Sequence, residues 1–179
     1  VLDSGSPAYV QVLNAFGEAP GLAVERVGAD ARSLDEDTAC LIVQQPNFLG
    51  YMEEMERLSE LAHSSGALLV VYADPMSLAM FRPPSDFDAD IVVGEGQTLG
   101  IAPTYGGPYL GIFSCKQRHL RQMPGRIVGK TVDGDGETGY VLTMQTREQH
   151  IRREKATSNI CMSVGLIALM STVYMAANG

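Results

Sequence analysis

The stretch ADIVVGEGQTLGIAPTYGGPYLGIF, residues Ala89–Phe113, decides the fold that we expect for this chain. It opens with one apolar run, Ile91–Val93, and closes with another, Tyr109–Phe113. Short runs rich in β-branched or aromatic residues and bounded by glycine are typical of buried strands. Five glycines lie between the two runs, so the backbone can approach a ligand or another chain closely. A tight connection between two core strands would use the same glycines, and both interpretations stay open at this point.

The segments before this stretch predict a strand, a helix and a second strand. Residues Ala39–Val43 and Ala67–Tyr72 are continuous apolar runs, a pattern typical of central strands in a parallel sheet. Between them Asn47 can cap a helix, and apolar side chains recur at helical spacing over residues 48–61. Elements of these lengths form a right-handed βαβ crossover, so we expect an α/β domain.

Two further elements are expected nearer the start of the chain. Residues Ser6–Phe16 predict a helix, with Ser6 as its cap and Pro7 at its first position. The apolar face of this helix would consist of Tyr9, Val12, Leu13 and Phe16. The segment Leu22–Val27 alternates enough to predict another strand.

The second half of the chain predicts a hairpin and a long apolar helix. Strands are expected at Ile127–Val132 and Tyr140–Met144, joined by the polar tip DGDGETG. The tip lacks the distal glutamate of an EF-hand loop, so we predict an exposed turn and no metal site. Residues Ile160–Ala177 carry no charge, but serine, threonine and glycine dilute them. That composition favours a helix buried in the protein or against a partner over a membrane span.

The predicted elements divide the chain into three parts. An α/β core covers residues 1–122, a glycine-rich hairpin and basic segment of the same domain covers 123–155, and the apolar helix covers 156–179. The first residues resemble the end of a strand and the last ones the end of a helix. We therefore expect a segment of a longer protein, in which the apolar helix leads toward a C-terminal domain.

The composition argues against some classes of function. The net charge is −8 and the isoelectric point is near 4.8, which argues against nucleic-acid binding because phosphate recognition requires a basic surface. The three cysteines are Cys40, Cys115 and Cys161, and no CxxC or paired-histidine spacing accompanies them. A disulfide framework or zinc site is therefore not expected, and a reducing cytoplasm is the simplest location.

One carboxylate stands where a ligand-binding group is expected. Asp74 follows the second predicted strand, in the sequence Ala73-Asp74-Pro75. Open α/β sheets place ligand-binding groups at the carboxyl ends of their strands. A turn formed with Pro75 explains the same residue at least as well.

The start of the apolar helix is a second candidate site. Small polar residues precede that helix, namely Thr157, Ser158 and Asn159. Backbone amides and hydroxyls at a helix start bind anions, and the arginines just upstream would strengthen such a site. Cys161 would fall in the first turn, where the helix dipole favours a redox-sensitive thiolate. An inert, buried thiol is the alternative for Cys161.

Three segments together resemble one known family. They are QTREQHIRREKATSNIC at residues 145–161, MPGRIVGKT at 123–131 and GEGQTLGIAPTYGGPYLGIF at 94–113. These segments are similar to the P-protein of the glycine cleavage system, glycine dehydrogenase (decarboxylating). The likeness runs through the whole chain and is densest over residues 90–165. It corresponds to the N-terminal half of the family, which many bacteria encode as a separate subunit 1.

The resemblance implies a fold, a reaction and partners. The fold would be a fragment of the large domain of a fold-type I, aspartate-aminotransferase-like, pyridoxal-phosphate-dependent transferase. The reaction would be the decarboxylation of glycine, with transfer of the aminomethyl group to the lipoyl arm of H-protein. The implied partners are a lysine-bearing subunit 2, lipoylated H-protein and glycine, in a cytoplasmic heterotetramer, with no nucleic acid and no membrane.

The resemblance also implies that the catalytic lysine belongs to the partner. Such enzymes hold pyridoxal phosphate through a lysine in the loop after the strand that contains Ile91–Val93, and Gln97 stands there instead. The three lysines of the chain are Lys116, Lys130 and Lys155. No catalytic residue is therefore expected on this chain, and the partner would hold the cofactor covalently.

What the resemblance assigns to this chain is a set of residues near the shared site or at the interface: Asp74, Gln97, Tyr105, Gly106, Gly107, Thr157, Ser158 and Asn159. Two alternatives stay open. One is a complete fold-type I enzyme such as an aminotransferase, which the missing lysine weighs against. The other is a catalytically inactive scaffold of the same fold.

Overall fold

The computed structural model describes residues 1–123, 127–144, 149–156 and 164–178. Contacts divide the chain into two compact units. The first unit contains Val1–Lys116 and the residues from Ile167 onward, and the second contains Gln117–Leu166. Within the described ranges, no helix has both the length and the apolar character needed to cross a membrane.

A four-stranded mixed sheet forms the centre of the first unit. Its strands are β1 (Cys40–Gln45), β2 (Leu68–Ala73), β3 (Ile91–Glu95) and β4 (Gly111–Cys115), in that spatial order. The first three run parallel, and β4 is antiparallel to β3. The βαβ arrangement and the two strands flanking the glycine-rich loop are therefore confirmed. The last strand begins two residues later than its apolar run, because the amide of Leu110 bonds to the side chain of Glu95, the last residue of β3, instead of to a strand backbone.

Helix α2 (Met55–Ser64) covers one face of β1 and β2. Alternate residues of both strands point toward it and are buried, as the period of two in a strand requires. The cluster consists mainly of Leu41, Val43, Met55, Leu58, Leu61, Ala62, Leu69 and Val71. The core of the unit thus lies on the βαβ crossover.

The predicted start of this helix at residue 48 is wrong. The Asn47 side-chain oxygen accepts the amides of Leu49 and Tyr51, at 3.0 and 2.9 Å. Asn47 therefore closes a turn instead of capping a helix, since its acceptor is already used by this local turn. The apolar residues 48–52 stand on that turn, so their helical spacing was misleading.

Helix α1 (Pro7–Glu18) confirms the predicted N-terminal helix but corrects two details. Ser6 occupies the cap position, yet its side chain makes no capping bond and its backbone amide donates to Gln44 Oε1 at 2.9 Å. The apolar face is exposed in this unit, at Tyr9, Val12 and Phe16 in particular. The predicted strand at Leu22–Val27, a fully described segment, is absent; Val27 forms an isolated parallel bridge with Leu2.

Helix α4 (Gly165–Asn178) is the described part of the predicted apolar helix. Its side chain Tyr174 lies against Gly100 of the loop between β3 and β4. Gly100 has φ +84°, and a Cβ built there would lie 2.6 Å from the Cγ and Cδ2 atoms of Tyr174. A side chain at residue 100 would therefore force the loop and the helix apart.

We expect Gly100→Ala to destabilise the protein more than Gly50→Ala. Both glycines have positive φ, so both substitutions incur about 1–2 kcal/mol of backbone strain. Nothing lies within 4 Å of a Cβ at Gly50, whereas Gly100 adds the overlap with Tyr174. The extra loss at Gly100 should be about 1–3 kcal/mol in the free energy of unfolding. Equal losses for the two variants in urea denaturation would contradict this packing.

The second unit contains the predicted hairpin. Strands β5 (Ile127–Val132) and β6 (Thr138–Met144) pair antiparallel, followed by the short helix α3 (Gln149–Arg152). At the tip, the Asp133 carboxylate accepts the amides of Asp135 and Glu137, both at 2.9 Å. This carboxylate therefore holds the turn together. Among the described residues, no group of three or more His, Cys, Asp or Glu side chains is arranged to hold a metal ion.

Candidate functional site

The carboxyl ends of β1, β2 and β3 meet at one edge of the sheet, where open α/β folds bind ligands. Because the three strands are parallel, this edge gathers the residues that end each strand, namely Gln45, Ala73 and Glu95. The short 3₁₀ helices that follow β2 and β3, Pro75–Ala79 and Gly96–Thr98, contact each other. The structure thus brings the segments of Asp74 and Gln97 together at this edge, and their role at a shared site stays a prediction.

A polar network that sequence reasoning missed surrounds the end of β1. Glu53 Oε1 accepts hydrogen bonds from Ser4 Oγ at 2.5 Å and from Asn47 Nδ2 at 2.6 Å. The Glu53 amide in turn donates to Gln45 Oε1 at 2.9 Å. These bonds join the start of the chain, the end of β1 and the turn before α2. No local pattern marked Glu53, because its partners are 49, 6 and 8 residues away.

Two tyrosines stack beside the carboxylates at this edge. The rings of Tyr9 and Tyr72 have their centroids 4.8 Å apart and are inclined by 51°. Burial, the hydrogen bond with Tyr9 and the nearby carboxylates of Glu95 and Asp74 raise the pKa of Tyr72 well above its ordinary value of about 10. Tyr72 is therefore a neutral phenol at any physiological pH.

Asp74 stabilises the turn that begins at Pro75, which was one of the two interpretations of this residue from the sequence. Its Oδ1 atom accepts the amide of Met76 at 3.0 Å, and its carbonyl oxygen accepts the Ser77 hydroxyl at 2.6 Å. The carboxylate thus caps the 3₁₀ helix that follows β2. Its second role, contact with a ligand at the shared site, stays a prediction.

The loop between β3 and β4 carries the other described candidates. Gln97 is half-buried, and its backbone amide donates a hydrogen bond to Glu95 Oε1. Tyr105 is fully exposed and has φ +53°. The amides of Gly106 and Gly107 donate to the Pro103 carbonyl at 2.9 and 3.1 Å. These two amides are therefore used within the loop, and their geometry does not hold them open toward a phosphate.

The candidates at Thr157, Ser158, Asn159 and Cys161 lie outside the described residues. Their anion-binding, interface and redox roles stay predictions. The described basic residues nearest to them in sequence, Lys155 and Arg153, are exposed.

None of the three lysines stands in the loop after β3. Lys116 follows β4, so it lies at the opposite edge of the sheet, next to the start of β3. Lys130 is paired with Tyr140 in the hairpin, and Lys155 belongs to the short 3₁₀ helix after α3. The family resemblance expects the cofactor-binding lysine at Gln97, whose side-chain amide cannot form an imine. The loop after β3 therefore offers no amine for covalent attachment of pyridoxal phosphate.

Lys116 belongs to a charged cluster at that opposite edge. Its Nζ atom is 2.9 Å from Asp90 Oδ1 and 2.7 Å from Asp88 Oδ1. His63 Nε2 lies 2.9 Å from Asp90 Oδ2, which also accepts the amide of Leu69 at 2.9 Å. The side chain of Asp90 is 0% exposed. Burial alone would raise the pKa of Asp90, but its hydrogen bonds with Leu69, Lys116 and His63 outweigh burial and hold this pKa well below its usual range.

The whole chain matches one protein family. A family model described as glycine cleavage system P-protein matches residues 1–179. A probable glycine dehydrogenase (decarboxylating) subunit 1 of Desulforamulus reducens is 50% identical over 182 residues, covering 97% of this chain and 41% of that protein. The protein of the same description from Chlorobaculum tepidum is 56% identical over 146 residues, covering 82% of this chain and 33% of that protein. This chain thus spans well under half the length of these curated relatives.

Solved structures agree with this match. A crystal structure of glycine decarboxylase (P-protein) of the glycine cleavage system, in inhibitor-bound form, has a TM-score of 0.92 and 43% identity, over 99% of this chain and 42% of that chain. The cysteine desulfurase CsdA of Escherichia coli has a TM-score of 0.59 and 17% identity, over 99% of this chain and 45% of that chain, which shows the fold alone. The expected α/β fold class, that of fold-type I pyridoxal-phosphate enzymes, is confirmed. The chain belongs to the glycine cleavage system P-protein family.

Proposed function

We propose that this chain is part of the non-lysine half of a glycine decarboxylase, subunit 1 of a two-subunit enzyme. The match of residues 1–179 to the P-protein family supports this proposal. The relatives named subunit 1 support the assignment to that half of the enzyme. The reaction would decarboxylate glycine and transfer the aminomethyl group to the lipoyl arm of H-protein.

The proposal assigns covalent binding of the cofactor to the other subunit because Gln97, and no lysine, stands in the loop after β3. In this proposal the lysine-bearing subunit 2 holds pyridoxal phosphate, which supplies the electron sink for decarboxylation. This chain shapes the shared cavity with the loop between β3 and β4 and with the edge that contains Tyr72, Asp74 and Glu95. A cytoplasmic heterotetramer of the two kinds of subunit is the expected assembly.

The alternatives predict different results. A complete fold-type I enzyme such as an aminotransferase would need its own lysine in the loop, and Gln97 weighs against it. An inactive scaffold would bind no catalytic partner and would leave glycine unchanged.

The test is reconstitution of the two subunits. The full-length protein that contains this sequence is purified with and without the lysine-bearing subunit, and release of carbon dioxide from the glycine carboxyl group is measured with lipoylated H-protein. We expect release only when both subunits are present. Activity of the full-length protein alone would favour a complete enzyme, and no activity in any combination would favour a scaffold.

Tyr105 is expected at the interface with the lysine-bearing subunit. A fully exposed tyrosine on a loop held by local hydrogen bonds is a typical interface anchor. We expect Tyr105→Ala to lower glycine turnover of the two-subunit complex by about tenfold or more, because truncating such an anchor costs about 2 kcal/mol. The fold of the isolated subunit should be unchanged.

Tyr105→Phe is the matched control for that variant. It keeps the ring and removes only the hydroxyl, so most of the turnover should be retained if ring contact is what matters. Turnover that is unaffected by Tyr105→Ala would place this loop away from the interface.

A further inference from the structure

The side chain of Glu95 joins the two ends of the loop between β3 and β4. Its Oε1 atom accepts the amide of Gln97 at 3.0 Å and the amide of Leu110 at 2.7 Å. The amide of Gly96 adds a third bond, to the Leu110 carbonyl at 2.7 Å. Hydrogen bonds to a carboxylate are about twice as strong as those between neutral groups. One side chain thus closes a loop whose ends are 13 residues apart in sequence, from Gln97 to Leu110.

The packing at the base of the loop agrees with this closure. Gly96 is buried, and a Cβ built there would lie 3.0 Å from Leu110 Cδ2. The absence of a side chain at residue 96 therefore lets the two ends approach each other. Beyond the base, the amide of Ile101 donates to the Gln97 carbonyl at 3.0 Å, and Ile101 is buried. The path of the loop is consequently set from its base outward.

We propose that Glu95 is a positioning residue for the site of the glycine decarboxylase. This proposal rests on the function proposed above. Its carboxylate holds Gln97 and the Tyr105–Gly107 turn in the shape that glycine and the lysine-bearing subunit encounter. Glu95 acts through the backbone of the loop and does not take part in proton transfer. An error of about 1 Å in the placement of such a loop lowers the rate about a hundredfold.

The experiment compares three substitutions in the full-length subunit, assembled with the lysine-bearing subunit. Glu95→Gln keeps an oxygen at the same reach, whereas Glu95→Ala removes it and Glu95→Asp keeps the charge but shortens the side chain. Exchange of the backbone amides in peptides that contain residues 97 and 110 is followed by mass spectrometry, and kcat and KM for glycine are measured. Glu60→Ala, an exposed carboxylate on α2, is the matched control.

We expect exchange at these amides to rise at least tenfold in Glu95→Ala and Glu95→Asp, with kcat falling at least tenfold. Glu95→Gln should restore protection and most of the turnover, and Glu60→Ala should match the wild type. Unchanged exchange in Glu95→Ala, or faster exchange with wild-type kcat, would overturn the proposal. So would a loss of kcat in Glu95→Gln as large as that in Glu95→Ala.

A failure of the proposed function would be visible separately. If the wild-type complex releases no carbon dioxide from glycine, that function is wrong and the positioning role for it falls too. The exchange measurement would still show whether Glu95 closes the loop. If Glu95→Ala does not fold, Glu95→Asp provides the same comparison, because its shorter side chain cannot reach both amides.

Discussion

Borohydride reduction of the two-subunit complex, followed by mass measurement of each subunit, will leave the subunit that contains this sequence without a cofactor adduct in this segment. The reason is chemical, because covalent attachment of pyridoxal phosphate requires an amine and Gln97 presents an amide. Of the three lysines, Lys116 is paired with Asp88 and Asp90 at the edge opposite the candidate site. The adduct is expected on the lysine-bearing subunit, at one cofactor for each copy of that subunit.

Lys116→Arg is the control for this result. Arginine keeps the positive charge next to Asp88 and Asp90 but offers no amine for attachment. After reduction, the mass of the Lys116→Arg subunit should differ from that of the wild-type subunit only by the mass difference between arginine and lysine. A stoichiometric adduct on Lys116, Lys130 or Lys155 would show that this chain holds the cofactor itself and would refute the division of labour between the two subunits.

Asp90→Ala is expected to cause the largest loss of stability among the charged residues described here. The carboxylate is fully buried and satisfies the Leu69 amide, His63 Nε2 and Lys116 Nζ. Removing one partner of a buried ion pair costs about 3–5 kcal/mol, and we expect about 2–3 because the partners Lys116 and His63 are partly exposed. Urea denaturation of the full-length subunit measures the loss.

Asp88→Ala provides the comparison for Asp90→Ala. Asp88 contacts the same lysine and histidine, but its side chain is 70% exposed, so its loss should be much smaller. Equal losses for the two variants would mean that burial of Asp90 does not determine the stability of the cluster.

The contribution of Asp90 should also depend on pH. Its pKa is lower in the folded state than the value of about 4 of an unfolded aspartate. A group of this kind stabilises the protein fully above its unfolded pKa and loses that contribution as the pH falls toward its folded pKa. The difference in stability between the wild type and Asp90→Ala should therefore shrink as the pH falls below about 4. A difference that persists undiminished at pH 3 would contradict the assigned ion pairs.

Local sequence patterns predicted the sheet and the hairpin well. Apolar runs predicted β1, β2, β3 and the hairpin of β5 and β6, because strand formation depends on alternation and turn residues that lie within a few positions. The same patterns misplaced the start of α2 by seven residues, from residue 48 to Met55. The helical spacing of apolar residues there was real, but the side chain of Asn47 bonds to the backbone of a turn.

Some features of the candidate site could also be predicted from the sequence, and others could not. The position of Asp74 after β2 and the glycine-rich loop after β3 were readable because each follows directly from a strand end. The missing lysine was readable too, once the chain's resemblance to its family set the expected position. The role of Glu95 could not be predicted from the sequence. Its second partner, Leu110, is 15 residues away, and the two residues come into contact only when the loop closes.

By itself, the sequence determined the family, the βαβ crossover, the hairpin and the absence of a lysine from the loop after β3. These properties reside in residue identities and in periods of a few residues. Only the tertiary structure decided that His63 and Lys116 meet around the buried carboxylate of Asp90 and that Glu95 closes the loop. Such contacts join residues 15 to 27 positions apart, and the free energy of each depends on burial and on geometry that exists only after the strands have paired.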